Sequence, residues 1–157
     1  MSCWPGRPSR RAYAGRMPVF PDPATPFGSR VQRHLHEDKI VWFTSIGADH
    51  TPQPNPVWFV WQDDLVVIYT MPSAKRLRHI AVRSRVALNF NSDADGGDVA
   101  VLIGDARAAT ELPAPHENSA YLDKYRADMV AVVGSVEKFA ATYSVPIVVD
   151  VASVRGF

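Results

Sequence analysis

A run of basic residues follows an apolar segment near the middle of the chain. Segment 73–85 has six basic side chains and no acidic one. They are Lys75, Arg76, Arg78, His79, Arg83 and Arg85. Ser73, which follows a proline, predicts the N-cap of a helix over 74–82, with two of these cations in its first turn. Cations oppose the helix dipole there, so the pattern predicts a phosphate bound by helix N–H groups, Ser73 and the cations. A solvated basic face and a nucleic-acid patch are the alternatives.

Three prolines alternate along the next informative segment, TPQPNPVWFVW at 51–61. Residues two apart on a strand direct their N–H groups to the same side. Pro52, Pro54 and Pro56 therefore remove the donors from one edge, which predicts an open sheet edge. Residues 57–61 are apolar on both faces, so one face should fill the core and the other should meet a partner subunit or a flat aromatic ligand. Simple protection of an edge against aggregation is the alternative.

Other chemical motifs give no site. The chain has no glycine-rich phosphate loop, no GxSxG motif and a single cysteine, Cys3. The loop DADGGD lacks the EF-hand residues at its sixth and twelfth positions and is interpreted as an acidic turn. His34 and His36 lie two apart on a predicted helix and diverge, so no metal site is expected.

These segments are positioned by a predicted order of three strands, a helix, two strands, two helices and a strand. The expected strands cover 39–47, 51–61, 65–70, 85–90, 99–110 and 144–154, and the expected helices cover 29–38, capped by Ser29, 74–82, 117–128 and 135–142. Short links between strands predict a mainly β fold, an antiparallel sheet curled into a barrel with helices outside.

Composition and charge narrow the function classes. The 157 residues fit one ordinary domain, and no apolar run approaches the ~20 residues of a membrane helix. Residues 1–16 carry four arginines and no acid, and the remainder has 13 basic and 16 acidic residues, a net of −3. An acidic body argues against nucleic-acid binding. We expect residues 1–16 to be a disordered or upstream extension, with Met17 as the start of a cytoplasmic domain over 17–157.

The motifs resemble those of a known superfamily over nearly everything from Met17 onward. The carrying stretches are FPDPATPFGSRV, IVWFTSIGADHTPQPNPVWFVWQDD and VVIYTMPSAKRLRHIAVRSRVALNF, with Gly104-Asp105-Ala106 and the terminal VRGF. They resemble the pyridoxamine 5′-phosphate oxidase-like split β-barrels, in particular the actinobacterial branch of oxidoreductases that use flavin or the deazaflavin F420. The resemblance implies a split β-barrel of about six antiparallel strands.

The resemblance also implies a homodimer with two cofactor sites at its interface. By analogy, the ring system lies against Asn55, Pro56, Val57 and Trp58. The residues implied at the cofactor phosphate are Tyr69, Thr70, Ser73, Ala74, Lys75 and Arg76, with Arg78 and His79 at the phosphate or the cofactor tail. Three departures stand out: the Lys75-Arg76 order is reversed, His79 replaces a common Asn, and Asp49-His50 replaces Asp-Gly in a turn that we expect to have no chemical role.

The implied function is an F420-dependent oxidoreductase that transfers hydride between the reduced cofactor and a small conjugated or heteroaromatic substrate. The cations beyond the phosphate favour F420 because its tail is anionic. An FMN-dependent oxidoreductase and a non-catalytic flavin- or F420-binding protein are the alternatives. The chain ends without the arginine-rich substrate segment of the pyridoxamine oxidases, which argues against that reaction. No catalytic side chain is assigned, because the cofactor carries the redox chemistry.

Overall fold

Seven antiparallel strands form the body of the computed structural model, which describes residues 19–157. The elements are α1 (Pro26–Glu37), β1 (Val41–Ile46), β2 (Pro52–Val57), β3 (Val60–Gln62), β4 (Leu65–Thr70), α2 (Lys75–Val82), β5 (Arg85–Asn89), β6 (Ala100–Ala108), α3 (Ser119–Val133), α4 (Val136–Thr142) and β7 (Val145–Gly156). The strand order is β2-β1-β5-β6-β7-β4-β3, curled around an apolar core. The mainly β, split-barrel prediction is confirmed, whereas the predictions for residues 1–16 and Met17 fall outside the described residues.

Strand β4 is buried on both faces. Val66 and Ile68 belong to the cluster inside the curled sheet, whereas Val67 and Tyr69 belong to a second cluster under α3 and α4. Alternate residues of a strand point to opposite faces. The continuous apolar run of this strand therefore serves two cores.

The segment predicted as one strand over 51–61 is two strands, and this prediction was wrong. Strand β2 pairs with β1, whereas β3 pairs with β4. At the break, the Phe59 N–H donates to the Tyr125 hydroxyl at 3.0 Å and the Phe59 carbonyl accepts from the Lys124 ammonium at 3.1 Å. Helix α3 thus satisfies the backbone groups that a continuous strand would give to its neighbour, and the chain crosses from one edge of the sheet to the other.

The prediction of an open edge at the prolines is confirmed. Strand β2 is terminal in the sheet order and pairs with β1, and its other side has no strand partner among residues 19–157. Pro52, Pro54 and Pro56 leave that side without N–H donors, which protects it from uncontrolled strand addition.

Helix α1 begins earlier than predicted. Thr25, and not Ser29, is its N-cap, and the Thr25 hydroxyl accepts from the Gly28 N–H at 3.0 Å. Pro26 occupies the first helical position, where its missing N–H has no cost and its fixed φ suits the helix. The prediction placed the cap one turn too late because Ser29 directly precedes the polar stretch of the helix.

Candidate functional site

Helix α2 lies across β1 and is held there by two polar contacts and two apolar anchors. The Arg76 guanidinium carbon lies 5.8 Å from the centre of the Phe43 ring, and His79 Nδ1 lies 2.9 Å from the Ser45 hydroxyl oxygen. Leu77 packs against the interior cluster to which Ile80 belongs. The helix therefore presents one side of its first two turns to β1 and leaves the opposite side exposed.

The register of the first two strands brings part of β2 to the same side. Asn55 lies opposite Phe43 and Gln53 lies opposite Ser45. Residues directly opposite in an antiparallel pair share a face of the sheet. Because Phe43 and Ser45 contact α2, the Gln53 and Asn55 side chains belong to the face that α2 covers. Of the predicted ring-binding residues, Asn55 therefore lies on the sheet face against which α2 packs.

The first turn of α2 has free backbone donors. Ala74, and not Ser73, is the N-cap, and no side chain of the described part of the chain forms a cap hydrogen bond with the first turn. This corrects the predicted serine cap, since Ser73 lies one residue before the cap position. Among residues 19–157, the N–H groups of Lys75 and Arg76 have no hydrogen-bond acceptor. Uncapped N–H groups at a helix start are the donors that anions use.

The cations of this turn have no acidic partner. No carboxylate of the described part of the chain forms an ion pair with Lys75, Arg76 or Arg78. Arg76 is half-buried, and this burial lowers the pKa of its guanidinium. Partial burial of a cation without a carboxylate partner is unfavourable, and the Phe43 ring, 5.8 Å from the guanidinium carbon, offsets part of this cost.

The structure places other predicted site residues elsewhere. The Tyr69 hydroxyl donates to the Pro113 carbonyl at 2.9 Å and accepts from the Asn118 amide at 3.1 Å, so this side chain faces α3, and burial raises its pKa. The ring of Trp58 stacks on Tyr125 with centres 4.8 Å apart. These two side chains belong to the outer cluster or pack against it, away from the face shared by β2 and α2.

The remaining predicted residues lie just before α2 or on β2. Thr70 is buried at the end of β4, whereas Ser73 is exposed between β4 and α2. Pro56 pairs with Trp42 and so lies on the opposite face from Asn55, and Val57 is buried in the interior cluster. Only the backbone of these positions, or an exposed side chain such as Ser73, is available to a ligand at the start of α2.

Two further residues near the site, Ser45 and His50, were not predicted to contribute to it. Ser45 contacts His79, and His50 lies 2.6 Å from Arg83 (Nε2 to Nη2). Ser45 had a detectable signal, since it is the polar residue in the inward phase of the apolar strand β1, where a buried hydroxyl needs a partner. Arg85, expected to extend the basic surface, forms an ion pair with Asp105 at 3.2 Å instead.

A cavity of about 300 Å³ lies away from α2, between the β3–β4 turn and the start of α3. Its lining is Gln62, Asp63, Pro113, Glu117, Asn118, Ser119 and Ala120. Across residues 19–157, no group of three or more His, Cys, Asp or Glu side chains is arranged to hold a metal ion. Within the same range, no helix is both long and apolar enough to cross a membrane.

Comparisons with known proteins assign a family and a fold. The family model described as pyridoxamine 5′-phosphate oxidase matches residues 27–155. An F420 reductase structure is 21% identical with a TM-score of 0.56, and the match covers 78% of this chain and 94% of that one. General Stress Protein 26 from Bacillus anthracis is 12% identical with a TM-score of 0.59, covering 80% and 89%. The heme storage protein HutZ from Vibrio cholerae is 11% identical with a TM-score of 0.57, covering 84% and 95%.

These structural likenesses, all below 25% identity, show the fold alone. No curated protein sequence matches the chain significantly.

Proposed function

The chain belongs to the pyridoxamine 5′-phosphate oxidase family, and we propose that it is an oxidoreductase that uses a phosphate-bearing flavin-type cofactor, the deazaflavin F420. The start of α2 carries this proposal. Its first turn offers two free backbone N–H groups beside Lys75 and the half-buried Arg76, and neither cation has an acidic partner in the described chain. Free donors and unpaired cations suit a phosphate group.

The chain's own residues would bind and orient the cofactor. Lys75, Arg76 and the first-turn N–H groups would hold the phosphate. Asn55 and Gln53, on the face that β2 shares with α2, offer amide donors and acceptors for the polar edge of a ring system. When bound, the cofactor supplies the hydride carrier for a small conjugated or heteroaromatic substrate.

F420 is favoured over FMN by the charge beyond the first turn. Arg78 is exposed, and Arg83 contacts a ring nitrogen of His50, so neither is neutralised by a carboxylate of the described residues. Arg85 no longer supports this preference, because Asp105 neutralises it. An anionic tail that extends past the phosphate would meet two cations along α2, Arg78 and Arg83, that have no carboxylate partner in the described chain.

We propose that the protein acts as a homodimer with the cofactor sites at its interface. Gln53 and Asn55 are exposed on the terminal strand β2. A single chain therefore covers this site from one side only, and a second copy would exclude water from the other side.

Titration of the cofactor-free protein with F420 and with FMN, followed by tryptophan fluorescence, tests the proposal. We expect tight F420 binding and weak FMN binding, followed by turnover of a conjugated acceptor with reduced F420. The opposite preference would assign the protein to the FMN-dependent alternative. Binding without turnover of any acceptor would indicate a non-catalytic cofactor-binding protein, and the absence of binding to either cofactor would refute the proposal.

A further inference from the structure

The hydroxyl of Ser45 on β1 is shielded from water and makes one polar contact. Ser45 is 1% exposed and lies in the inward phase of the strand. Its hydroxyl oxygen lies 2.9 Å from Nδ1 of His79 on α2. Within residues 19–157 this hydroxyl forms no other hydrogen bond. His79 is therefore the group of the described chain that satisfies the buried hydroxyl.

This contact determines which nitrogen of the His79 imidazole carries the proton. A buried hydroxyl whose proton has no acceptor is unfavourable. The Ser45 hydroxyl therefore donates to Nδ1, which accepts through its lone pair, and the imidazole carries its own proton on Nε2. The opposite tautomer would leave the proton of Ser45 without an acceptor. The ring thus offers one N–H group, at Nε2.

The Nε2–H group of His79 has no partner in the described chain. Across residues 19–157, Nε2 forms no hydrogen bond, and no carboxylate forms an ion pair with the ring. His79 is only partly buried. Nε2–H is therefore accessible to a ligand, whereas Nδ1 is engaged with β1.

His79 lies one helical turn after Lys75. Residues four apart on a helix share a face, with Cβ atoms about 5–6 Å apart. Because Cα–Cβ bonds tilt toward the N-terminus of a helix, the imidazole leans toward the first turn. In the described part of the chain, the N–H groups of Lys75 and Arg76 in that turn have no acceptor. A further N–H donor thus stands beside them.

We propose that Ser45 is a positioning residue of the ligand site, which keeps the proton of His79 on Nε2 so that Nε2–H donates a hydrogen bond to a phosphate oxygen at the first turn of α2. The inference rests on the proposed cofactor site, because the phosphate belongs to that cofactor. Lys75 and Arg76 attract the phosphate through charge. The imidazole N–H adds a directional hydrogen bond, which orients the phosphate relative to β1.

A double-variant cycle on F420 binding, measured by calorimetry at pH 8, tests the inference. His79→Phe keeps a planar ring without nitrogens and should raise the dissociation constant about three- to ten-fold, the effect of one neutral hydrogen bond. Ser45→Ala should raise it about two- to five-fold, because the ring remains but is no longer oriented. In the His79→Phe background, Ser45→Ala should have no further effect.

Ser45→Thr is the matched control. Threonine keeps the hydroxyl and suits a strand, so this variant should bind F420 like the natural protein. An equal loss of affinity from Ser45→Ala in the natural and the His79→Phe backgrounds would refute the inference, because Ser45 would then act independently of the imidazole.

A second measurement uses no cofactor and so separates this inference from the choice of F420. The 15N NMR signals of the His79 imidazole at pH 8 should show a protonated Nε2 and a hydrogen-bonded Nδ1, and the Nδ1 signal should move in Ser45→Ala. Inorganic phosphate should shift the Nε2 signal of the natural protein. A proton on Nδ1, or phosphate that shifts the Lys75 and Arg76 amides but not Nε2, would refute the inference. A phosphate shift at Nε2 without any F420 binding would support it and refute only the choice of cofactor.

Discussion

Helices α1 and α2 carry similar basic side chains and use them differently. On α1, Arg30 and Arg33 form ion pairs with Asp98 in the β5–β6 loop, and the two ring nitrogens of His34 lie 3.1 Å from an Asp98 carboxylate oxygen and 2.6 Å from an Asp38 carboxylate oxygen. On α2, no carboxylate of the described residues pairs with the cations of the first two turns. The basic residues of α1 thus hold the structure together, whereas those of α2 remain available to a ligand.

The starts of the two helices differ in the same way. The Thr25 hydroxyl caps α1, whereas Ala74 leaves the first turn of α2 uncapped. A side-chain cap contributes about 1 kcal/mol. Within residues 19–157, the first two N–H groups of α2 have no acceptor and Lys75, Arg76 and Arg78 have no carboxylate partner, so two sources of stability are absent at one place. This coincidence is the difference between the two helices on which the proposed phosphate site rests.

The largest expected effect is on cofactor binding to α2. The double variant Lys75→Ala/Arg76→Ala should bind F420 at least about a hundred-fold more weakly, because each of the two lost charge-assisted hydrogen bonds contributes roughly 1.5–3 kcal/mol. Calorimetry measures the affinity. Arg33→Ala on α1 is the matched control and should bind normally. If the double variant keeps the natural affinity, the phosphate site lies elsewhere.

The next effect is on the stability of the α1 side. Asp98→Asn should lower the free energy of unfolding by about 1–2 kcal/mol, because His34 and two arginines lose their shared carboxylate. Asparagine tolerates the positive φ of this residue, so the backbone does not confound the result. Urea unfolding measures the loss, and F420 affinity should be unaffected. A variant as stable as the natural protein would contradict the structural role of this cluster.

A single substitution should make the start of α2 resemble that of α1. Ala74→Asp supplies a cap and a counter-ion, so we expect a gain of roughly 0.5–1 kcal/mol in stability together with at least ten-fold weaker F420 binding. Ala74→Ser, which adds a cap without charge, is the control and should lose less affinity. Thermal unfolding and calorimetry give the two values, and unchanged binding by Ala74→Asp would show that the turn is not used.

The smallest expected effect is on the stability of the protein at low pH. Burial opposes ionisation of Asp98, but the hydrogen bonds and charges of His34 and Arg33 lower its pKa below 3.8. A carboxyl group with a lowered folded-state pKa stabilises the protein above its unfolded-state pKa, and this contribution disappears as the pH falls through the folded-state value. The stability difference between the natural protein and Asp98→Asn should therefore be constant near neutral pH and shrink below 3.8. If the stability difference stays constant at low pH, the lowered pKa of Asp98 is contradicted.

Local patterns predicted most of the fold. Strands rich in β-branched residues, separated by short turns, identified β1, β4, β5, β6 and β7, and the alternating prolines identified the open edge. The break between β2 and β3 could not be predicted, because it depends on Tyr125 and Lys124 satisfying the backbone of Phe59 from a helix about 65 residues later. The periodicity of the sequence does not predict such a contact.

The sequence predicted which residues form the candidate site, but not which of them form ion pairs. An acid-free segment identified the cations of α2, yet only tertiary structure shows that Asp105 neutralises Arg85 while Arg76 stays unpaired. The same limit applies to His50, which was expected to have no chemical role. Its partner Arg83 lies 33 residues away, so the turn gives no local sign of the contact.

Backbone NMR of the protein titrated with F420 tests the central claim most directly, because it reports where the phosphate binds. The unpaired first turn of α2 predicts the largest shifts at the amides of Lys75 and Arg76 and at the Arg76 guanidinium. Residues lining the cavity at the start of α3 should shift little. Saturable binding with unshifted Lys75 and Arg76 signals would contradict the account.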